Sequence, residues 1–204
     1  WSKKALLMQT FSHYSMKEFE EAASAGKRYL QLYPADPDAA YAAYLIASSY
    51  YDVVLDISRD QERAEKALVA FQEVVQRWPK SDYAKDAKFK ISVLRDQLAG
   101  REMEVGRYYL NKRNFTAAIN RFRIVVSQYQ TTNQIEEALA RLTEAYLALG
   151  IVNEAETAAA VLGHNFPESQ WYKDTYALLQ NKGVEPKENQ ESWISKAFKA
   201  VKIF

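Results

Sequence analysis

Apolar side chains recur along this chain at the spacing of one face of an α-helix. The pattern is clearest in two stretches, which place apolar residues three or four positions apart: Phe71, Val74, Val75 and Trp78, and then Phe122, Val125, Val126 and Tyr129. Such a stripe is typical of an amphipathic helix with one buried side. Pro79 directly follows the first stretch, and because proline cannot continue the interior of a helix, it marks the helix end. The pattern therefore predicts an all-α chain of amphipathic helices.

The same helix end occurs four times in the sequence. Each time, an aromatic residue precedes one reference position, and an alanine lies twelve residues before that position. The reference positions are Pro34, Pro79, Gln130 and Pro167, the aromatic residues are Tyr33, Trp78, Tyr129 and Phe166, and the alanines are Ala22, Ala67, Ala118 and Ala155. The small alanine lets two helices approach closely, and Ser81 and Ser169 can cap the next helix with a side-chain oxygen. The four copies predict repeated helical hairpins with helices that end near the four aromatic residues.

This arrangement resembles the tetratricopeptide repeat, a helical hairpin of about 34 residues with small, aromatic, alanine and proline positions at fixed offsets. The best fit is in residues 99–130, with Gly106, Tyr109, Ala118 and Phe122 at the family positions. The resemblance implies an all-α, tetratricopeptide-like helical-hairpin solenoid of about four to five repeats, the first of them incomplete. The reference positions here are 45, 51 and 37 residues apart. The surplus lies in the polar stretch 56–63 and in a lengthened helix through 84–98, which we expect to kink or break near Gly100.

The C-terminal part of the sequence changes character. We expect the solenoid to occupy residues 1–181, a linker with Gly, Pro and charged residues to occupy 182–190, and an amphipathic helix to occupy 191–204. The apolar side of that helix is formed by Ile194, Ala197, Phe198 and Val201. Its own solenoid, a groove in a partner protein, or an anionic membrane surface could order so short a helix. We interpret it as an element for complex assembly rather than for folding.

Composition excludes several classes of function. The chain has no cysteine, which removes disulfides, thiolate catalysis and cysteine-based zinc sites. A formal net charge of +1 offers no field that would hold nucleic acid. No G-x-S-x-G, P-loop or G-x-G-x-x-G pattern occurs, and no apolar run is long enough to span a membrane. The two histidines fit a packed helix position, at His13, and a surface position, at His164. We therefore expect no enzyme activity and no catalytic, cofactor-binding or metal-binding residue. The alternative from another functional class is an enzyme, a hydrolase or transferase, in which the helical repeats carry an active site.

A closer resemblance rests on the order of the irregular features. The residues that carry it are 33–51, 58–87 and 94–126, including Arg59, Asp60 and Gln61 before one repeat and a long helix before a later one. They resemble the BamD family, lipoproteins of the machinery that assembles β-barrel proteins in the bacterial outer membrane. The resemblance implies a non-catalytic scaffold subunit at the periplasmic face of the outer membrane. It also implies a lipid anchor upstream of this sequence as the only attachment to the membrane. Another tetratricopeptide adaptor that binds peptides or proteins is the alternative interpretation.

The resemblance also implies partners and a candidate interface. Residues 101–165 would dock a POTRA domain of BamA, while the N-terminal half would meet unfolded outer-membrane protein segments and other assembly-complex lipoproteins. Some family members carry an arginine after the tyrosine of the last full repeat, where this chain has Leu147. Arg141 and Glu144 lie close by in the sequence and are candidates to replace it. The complete set of candidate partner-binding residues is Arg121, Arg141, Glu144, Leu147, Trp193 and Phe198. No nucleic-acid partner is expected.

Overall fold

The structure, a computed structural model, describes residues 2–53 and 61–200, and of Ala200 it describes the backbone. Within those ranges every regular element is an α-helix. In chain order the helices are α1 (Ser2–Ser15), α2 (Phe19–Leu32), α3 (Ala39–Asp52), α4 (Gln61–Arg77), α5 (Asp82–Asn111), α6 (Phe115–Gln128), α7 (Ile135–Ala148), α8 (Val152–Asn165), α9 (Gln170–Gln180) and α10 (Trp193–Ala200). The predicted all-α fold class is thus confirmed for the part of the chain that the structure describes.

The four predicted helix ends are confirmed. Helices α2, α4, α6 and α8 each end one residue before the aromatic position of the repeat. The alanine of each repeat is fully buried, with none of its surface exposed. The two predicted serine caps also form, because Ser169 Oγ accepts a hydrogen bond from the Trp171 backbone N–H and Ser81 Oγ accepts one from Ala84, both at 3.2 Å. Local sequence signals therefore set where these helices stop and start.

The residue contacts divide the chain into two compact units, Trp1–Leu98 and Ala99–Phe204, which we call unit 1 and unit 2. In unit 1, α1 packs on α2, α2 on α3, and α3 on α4. The core of this unit includes the fully buried rings of Tyr29 and Phe71. Gly26 lets α2 approach α3 closely, since a Cβ at that position would lie 2.6 Å from the Ile46 side chain.

The turn between α2 and α3 is fixed by the carboxylate of Asp36. This carboxylate pairs with the Lys3 ammonium and accepts hydrogen bonds from the Asp38 backbone N–H at 3.0 Å and the Tyr29 hydroxyl at 2.7 Å. The hydrogen bond from Lys3, followed by those from Asp38 and Tyr29, lowers the pKa of Asp36 from 3.8 to about 2. The charged form of Asp36 thus connects α1, α2 and the start of α3.

In unit 2, α6 packs on α7 and α7 on α8, while α9 packs on α7 and α8. Helix α10 packs on α6 and α8. The Gly106 backbone lies against the buried ring of Phe122, which is why this repeat position takes the smallest residue. Gly163 has the same relation to the ring of Tyr172, which a Cβ at residue 163 would approach to 2.4 Å.

The expected break near Gly100 is wrong. Helix α5 runs without interruption through 30 residues, from Asp82 to Asn111. One glycine costs a helix interior only about 1 kcal/mol relative to alanine, and a helix of this length has enough other residues to offset that cost. Arg59 and Asp60 of the predicted irregular segment lie outside the described residues, and Gln61 is the first residue of α4.

The C-terminal segment combines an irregular stretch with a short helix. Residues 184–189 have no regular secondary structure, and α10 begins at Trp193. The irregular stretch is nevertheless attached to α8, because the backbone N–H groups of Lys187 and Asn189 donate to the Glu156 carbonyl and the Thr157 hydroxyl at 3.3 and 3.2 Å. Of the predicted apolar side of this helix, Val201 lies outside the described residues.

Candidate protein-binding surfaces

Four charged side chains form a connected network on unit 2, which we call the α7 network: Arg107, Glu137, Arg141 and Glu144. Glu137 accepts from Arg107 Nη1 at 2.9 Å and from Arg141 Nε at 3.4 Å. Arg141 also donates from Nη1 to Glu144 Oε2 at 2.9 Å. These side chains keep between 15% and 44% of their surface exposed, so the network remains accessible to a partner. The structure thus brings together the two predicted site residues Arg141 and Glu144.

The Arg141 guanidinium also stacks on an aromatic ring. Its carbon lies 5.2 Å from the ring centroid of Trp171, on α9, at a distance typical of a cation–π contact. Beside this ring is a cleft of about 90 Å³ that Glu144, Asp174 and Leu178 also line. Our reading of the sequence missed Trp171, although the signal was present. This residue lies four positions after the reference position Pro167, where the corresponding phrase after Pro79 has Tyr83.

Arg121 and Leu147 lie in other surroundings. Arg121 Nη1 donates to Glu102 Oε2 at 3.2 Å, and this glutamate is almost fully buried, with 5% of its surface exposed. Arg121 therefore offsets the desolvation of a buried carboxylate, which is a structural role. Leu147 is half-buried near the end of α7. It precedes an exposed apolar turn formed by Leu149, Ile151 and Val152.

The predicted site residues of α10, Trp193 and Phe198, contact the chain's own helices. The indole N–H of Trp193 donates to the hydroxyl of Tyr146 on α7 at 3.2 Å, and the Arg123 guanidinium of α6 lies 4.8 Å from the indole centroid. Burial raises the pKa of Tyr146 above its ordinary value. Phe198 is 9% exposed and Ile194 fully buried. We expected the chain's own solenoid, a partner protein or a membrane surface to order α10, and in the structure α10 docks on its own unit. This differs from our interpretation that α10 serves complex assembly rather than folding. The apolar side of α10 gains more by burial in an adjacent groove than by exposure to water.

A groove in unit 1 was not found from the sequence. It has a volume of about 800 Å³ and lies between α2 and α4, with α3 beneath. Ile46 and Tyr50 of α3 line it, together with Val69 of α4, which is 64% exposed. Charged residues of both walls, among them Lys27 and Lys66, also line this groove. An apolar surface with a charged rim is typical of a site for another polypeptide segment.

The two histidines have the predicted surroundings. His13 is half-buried near the end of α1, where its Nδ1 lies 2.6 Å from Glu18 Oε2, and His164 is exposed. In the described ranges, no group of three His, Cys, Asp or Glu side chains could hold a metal ion. None of the helices described above is both long and apolar enough to cross a lipid bilayer.

Comparison with known proteins places these observations in a family. The family model described as an outer membrane lipoprotein, YfiO, matches residues 1–162. A relative from Caulobacter vibrioides, named outer membrane protein assembly factor BamD, is 46% identical over 186 residues, which are 91% of this chain and 61% of that protein. Relatives of the same name from Rickettsia prowazekii and Neisseria meningitidis serogroup A are 44% and 34% identical, over 87% and 82% of this chain and 71% and 67% of those proteins.

This chain therefore spans less than two thirds of the Caulobacter relative's length. A solved tetratricopeptide repeat protein from Parabacteroides merdae aligns over 98% of this chain and 78% of its own, with 13% identity and a TM-score of 0.33, which is too low to carry an argument. The sequence relatives and the family model agree, and both cover most of the residues described above. The chain belongs to the YfiO family of outer membrane lipoproteins, together with the relatives named outer membrane protein assembly factor BamD.

Proposed function

We propose that this chain is a non-catalytic scaffold subunit of the machinery that assembles β-barrel proteins in the bacterial outer membrane. The observation that carries the proposal is membership in a family whose close relatives are named outer membrane protein assembly factor BamD. Repeated helical hairpins support it, because such repeats present extended surfaces to other proteins. On this proposal the chain works at the periplasmic face of the membrane and is held there by a lipid anchor.

Within this scaffold, we propose that unit 2 docks a POTRA domain of BamA through the α7 network. The network is exposed, yet its side chains are held in place by ion pairs and by the stacking of Arg141 on Trp171. Ordered, partly exposed arginine and tryptophan side chains lose little entropy on binding and are enriched at the centres of protein interfaces. Trp171 and Glu137 therefore join Arg141, Glu144 and Leu147 as proposed contacts.

The other parts of the chain have separate roles in this proposal. Unit 1 meets unfolded outer-membrane protein segments or other assembly lipoproteins, and its groove between α2 and α4 is the surface that supports this role. The solenoid comprises residues 1–181, with 182–190 as a linker and 191–204 as a terminal amphipathic segment. We keep Trp193, which is only half-buried, and Arg121, whose side chain is 42% exposed, as proposed contacts, and we drop Phe198, which is buried in its own unit.

The proposal is tested by titrating the purified chain with the POTRA region of BamA from the same organism. Exchanging the charges of one ion pair, Arg141→Glu with Glu144→Arg, breaks the pairing of Arg141 with Glu137 and its stacking on Trp171. We expect the dissociation constant to rise by at least about ten-fold, which corresponds to ~1.4 kcal/mol.

The matched control exchanges another ion pair with the same spacing, Asp82→Lys with Lys85→Asp, on α5 in unit 1. This pair is 94% and 81% exposed, so its exchange leaves the fold intact, and we expect POTRA binding to be unchanged. No saturable binding of the unmodified chain at about 100 μM POTRA would refute the docking proposal. Equal weakening by both exchanges would refute the assignment to the α7 network.

A second candidate function is supported by the groove of unit 1. A tetratricopeptide adaptor for other peptides or proteins would use this groove and would not need BamA. Retained peptide binding by a chain that fails to bind POTRA domains would favour this second function.

A further inference from the structure

Helix α10 occupies a groove of unit 2 that is built from three helices. One wall is α6, whose Arg123 stacks on Trp193, and the other wall is α8, whose Glu154 accepts the Ser192 hydroxyl at 2.6 Å. The floor is α7, whose Tyr146 hydroxyl accepts from the indole of Trp193. Ser192 lies beside the start of α8, and Phe198 lines the same cleft as Asn165 at the end of α8. Helix α10 therefore runs parallel to α8 over the floor of α7.

The repeat register maps this groove onto unit 1. Arg123 lies seven residues before the reference position Gln130, and Lys27 lies seven residues before Pro34. Tyr146 and Tyr50 each lie sixteen residues after those same two positions. On the second wall, Glu154 and Lys66 correspond, because each lies thirteen residues before its reference position, Pro167 or Pro79. Thr157 and Val69 correspond in the same way, ten residues before those positions. All four unit 1 residues line the groove between α2 and α4.

The unit 1 groove repeats the architecture of the α10 site, but no described residue fills it. Helices α2 and α4 form its walls and α3 its floor, as α6, α8 and α7 do in unit 2. Lys27 Nζ lies 5.5 Å from the ring centroid of Tyr50, where the corresponding cation of unit 2 stacks on the indole of the bound helix. Val69 keeps 64% of its surface exposed, whereas the corresponding Thr157 is fully buried. An aliphatic side chain in that position is what a second apolar helix side would cover.

One difference in charge indicates what the occupant carries at its start. In unit 2 the carboxylate of Glu154 accepts a hydroxyl from Ser192, the residue just before α10. Unit 1 has the ammonium of Lys66 in that position, and its side chain is 58% exposed despite an ion pair with Glu62. An acidic residue just before the incoming helix would pair with Lys66 and would also cap the helix N-terminus favourably.

We propose that the groove between α2 and α4 binds a short amphipathic helix of a partner protein, with an acidic residue at its N-cap and an aromatic residue directly after it. The acidic residue pairs with Lys66, the aromatic ring lies between Lys27 and Tyr50, and the apolar side covers Val69 and Ile46. The chain's own α10 is not the occupant, because its apolar side is already buried in unit 2. This inference rests on the proposed function of unit 1 as a surface for partner proteins.

The test uses two labelled peptides and the full chain. One peptide has the sequence of residues 187–204, and the other carries Ser192→Asp, which adds the acidic N-cap. Binding is followed by fluorescence anisotropy. We expect the acidic peptide to bind the unmodified chain several-fold more tightly than the first peptide, and we expect Lys66→Glu to reverse that order. The same order with Lys66→Glu, or no saturable binding of either peptide up to about 1 mM, would overturn the proposal.

A second pair of variants locates the site. Val69→Glu introduces a charge into the apolar surface of the groove and should weaken the acidic peptide at least about ten-fold. Phe89→Glu changes an equally exposed apolar residue of α5, 67% exposed, and should leave binding unchanged. Binding that Val69→Glu leaves intact while Arg123→Glu removes it would mean that the peptide displaces α10 in unit 2, which would contradict the proposal.

Two further measurements separate the alternatives. The chain alone is also tested for dimers at high concentration. A dimer that Val69→Glu abolishes would mean that a second copy occupies the groove, and it would overturn the proposal of a partner protein's helix. POTRA binding by the same Val69→Glu variant reports on the proposed function separately. If the chain binds POTRA domains but not the acidic peptide, the groove inference alone is rejected. If the unmodified chain does not bind POTRA domains, the docking role is rejected.

Discussion

Replacing Gly106 by alanine creates a clash whose cost can be worked out from the structure. The new Cβ would lie 2.4, 2.8 and 2.9 Å from three carbons of the Phe122 ring, which is fully buried. Overpacking of this kind costs about 1–3 kcal/mol, and the higher helix propensity of alanine returns about 1 kcal/mol. With three contacts this short, we expect a net loss of about 1–2 kcal/mol in the free energy of unfolding.

Gly100, in the same helix and the same unit, is the matched control. The nearest atom to an added Cβ is the Gln134 amide nitrogen at 3.9 Å, which is ordinary contact. Gly100→Ala should therefore stabilise unit 2 by about 0.5–1 kcal/mol through helix propensity alone. The two variants should differ by about 2 kcal/mol, which corresponds to about 1 M in the urea midpoint for a slope of roughly 2 kcal/mol/M.

Tryptophan fluorescence in urea can report on unit 2 selectively. The chain has four tryptophans, so a background with Trp1→Phe and Trp78→Phe leaves Trp171 and Trp193, both in unit 2. Each alanine variant is compared with this background. Equal urea midpoints for the two variants, or a higher midpoint for the variant at residue 106, would refute the close crossing of α5 and α6.

Three further changes test other parts of the structure. Ala118→Leu overpacks a fully buried crossing and should cost ~1–3 kcal/mol in urea unfolding; a loss below about 0.5 kcal/mol would mean that the repeat register is wrong. Deletion of residues 191–204 removes the buried side of α10 and should lower the thermal midpoint by more than about 4 °C in calorimetry; a change below about 2 °C would mean that α10 contributes nothing to the core of unit 2. Because the folded-state pKa of Asp36 lies below its unfolded value, its stabilising effect is present above pH 3.8 and is lost as the pH falls to about 2. Asp36→Asn should therefore flatten the acid dependence of the midpoint over that window, and an unchanged acid dependence would contradict the Lys3–Asp36 connection.

Helix ends could be predicted from the sequence because their causes are local. At three of the four helix ends a proline follows the aromatic residue and prevents the helix from continuing. Ser81 and Ser169 cap the next helix through atoms only two or three residues away. The prediction of a break near Gly100 was wrong because a single glycine is only a weak local signal. A glycine lowers helix propensity by a small amount, and the other residues of the 30-residue α5 decide whether the helix continues.

The candidate surfaces needed information that the sequence does not carry locally. Arg141 and Glu144 were predicted because they lie close in the sequence to Leu147, where some family members carry an arginine. Trp171, in contrast, comes from α9 and meets Arg141 only after α7 and α9 have packed together. The docking of α10 depends on a groove whose walls are separated along the chain. The groove of unit 1 has a sequence signal in the repeat register, because Tyr50 occupies the same offset as Tyr146 of the α10 site, but its volume is a property of packed helices.

The measurement that tests the central claim most directly is hydrogen–deuterium exchange of the chain with and without saturating POTRA region of BamA. Backbone amides at an interface exchange more slowly in the complex, and each peptide of the digest reports on its own segment. The proposed docking predicts slower exchange in the peptides that cover α7 (Ile135–Ala148) and α9 (Gln170–Gln180), and unchanged exchange in α1 to α4. Slower exchange confined to α1 to α4, or no change anywhere at saturation, would contradict the account.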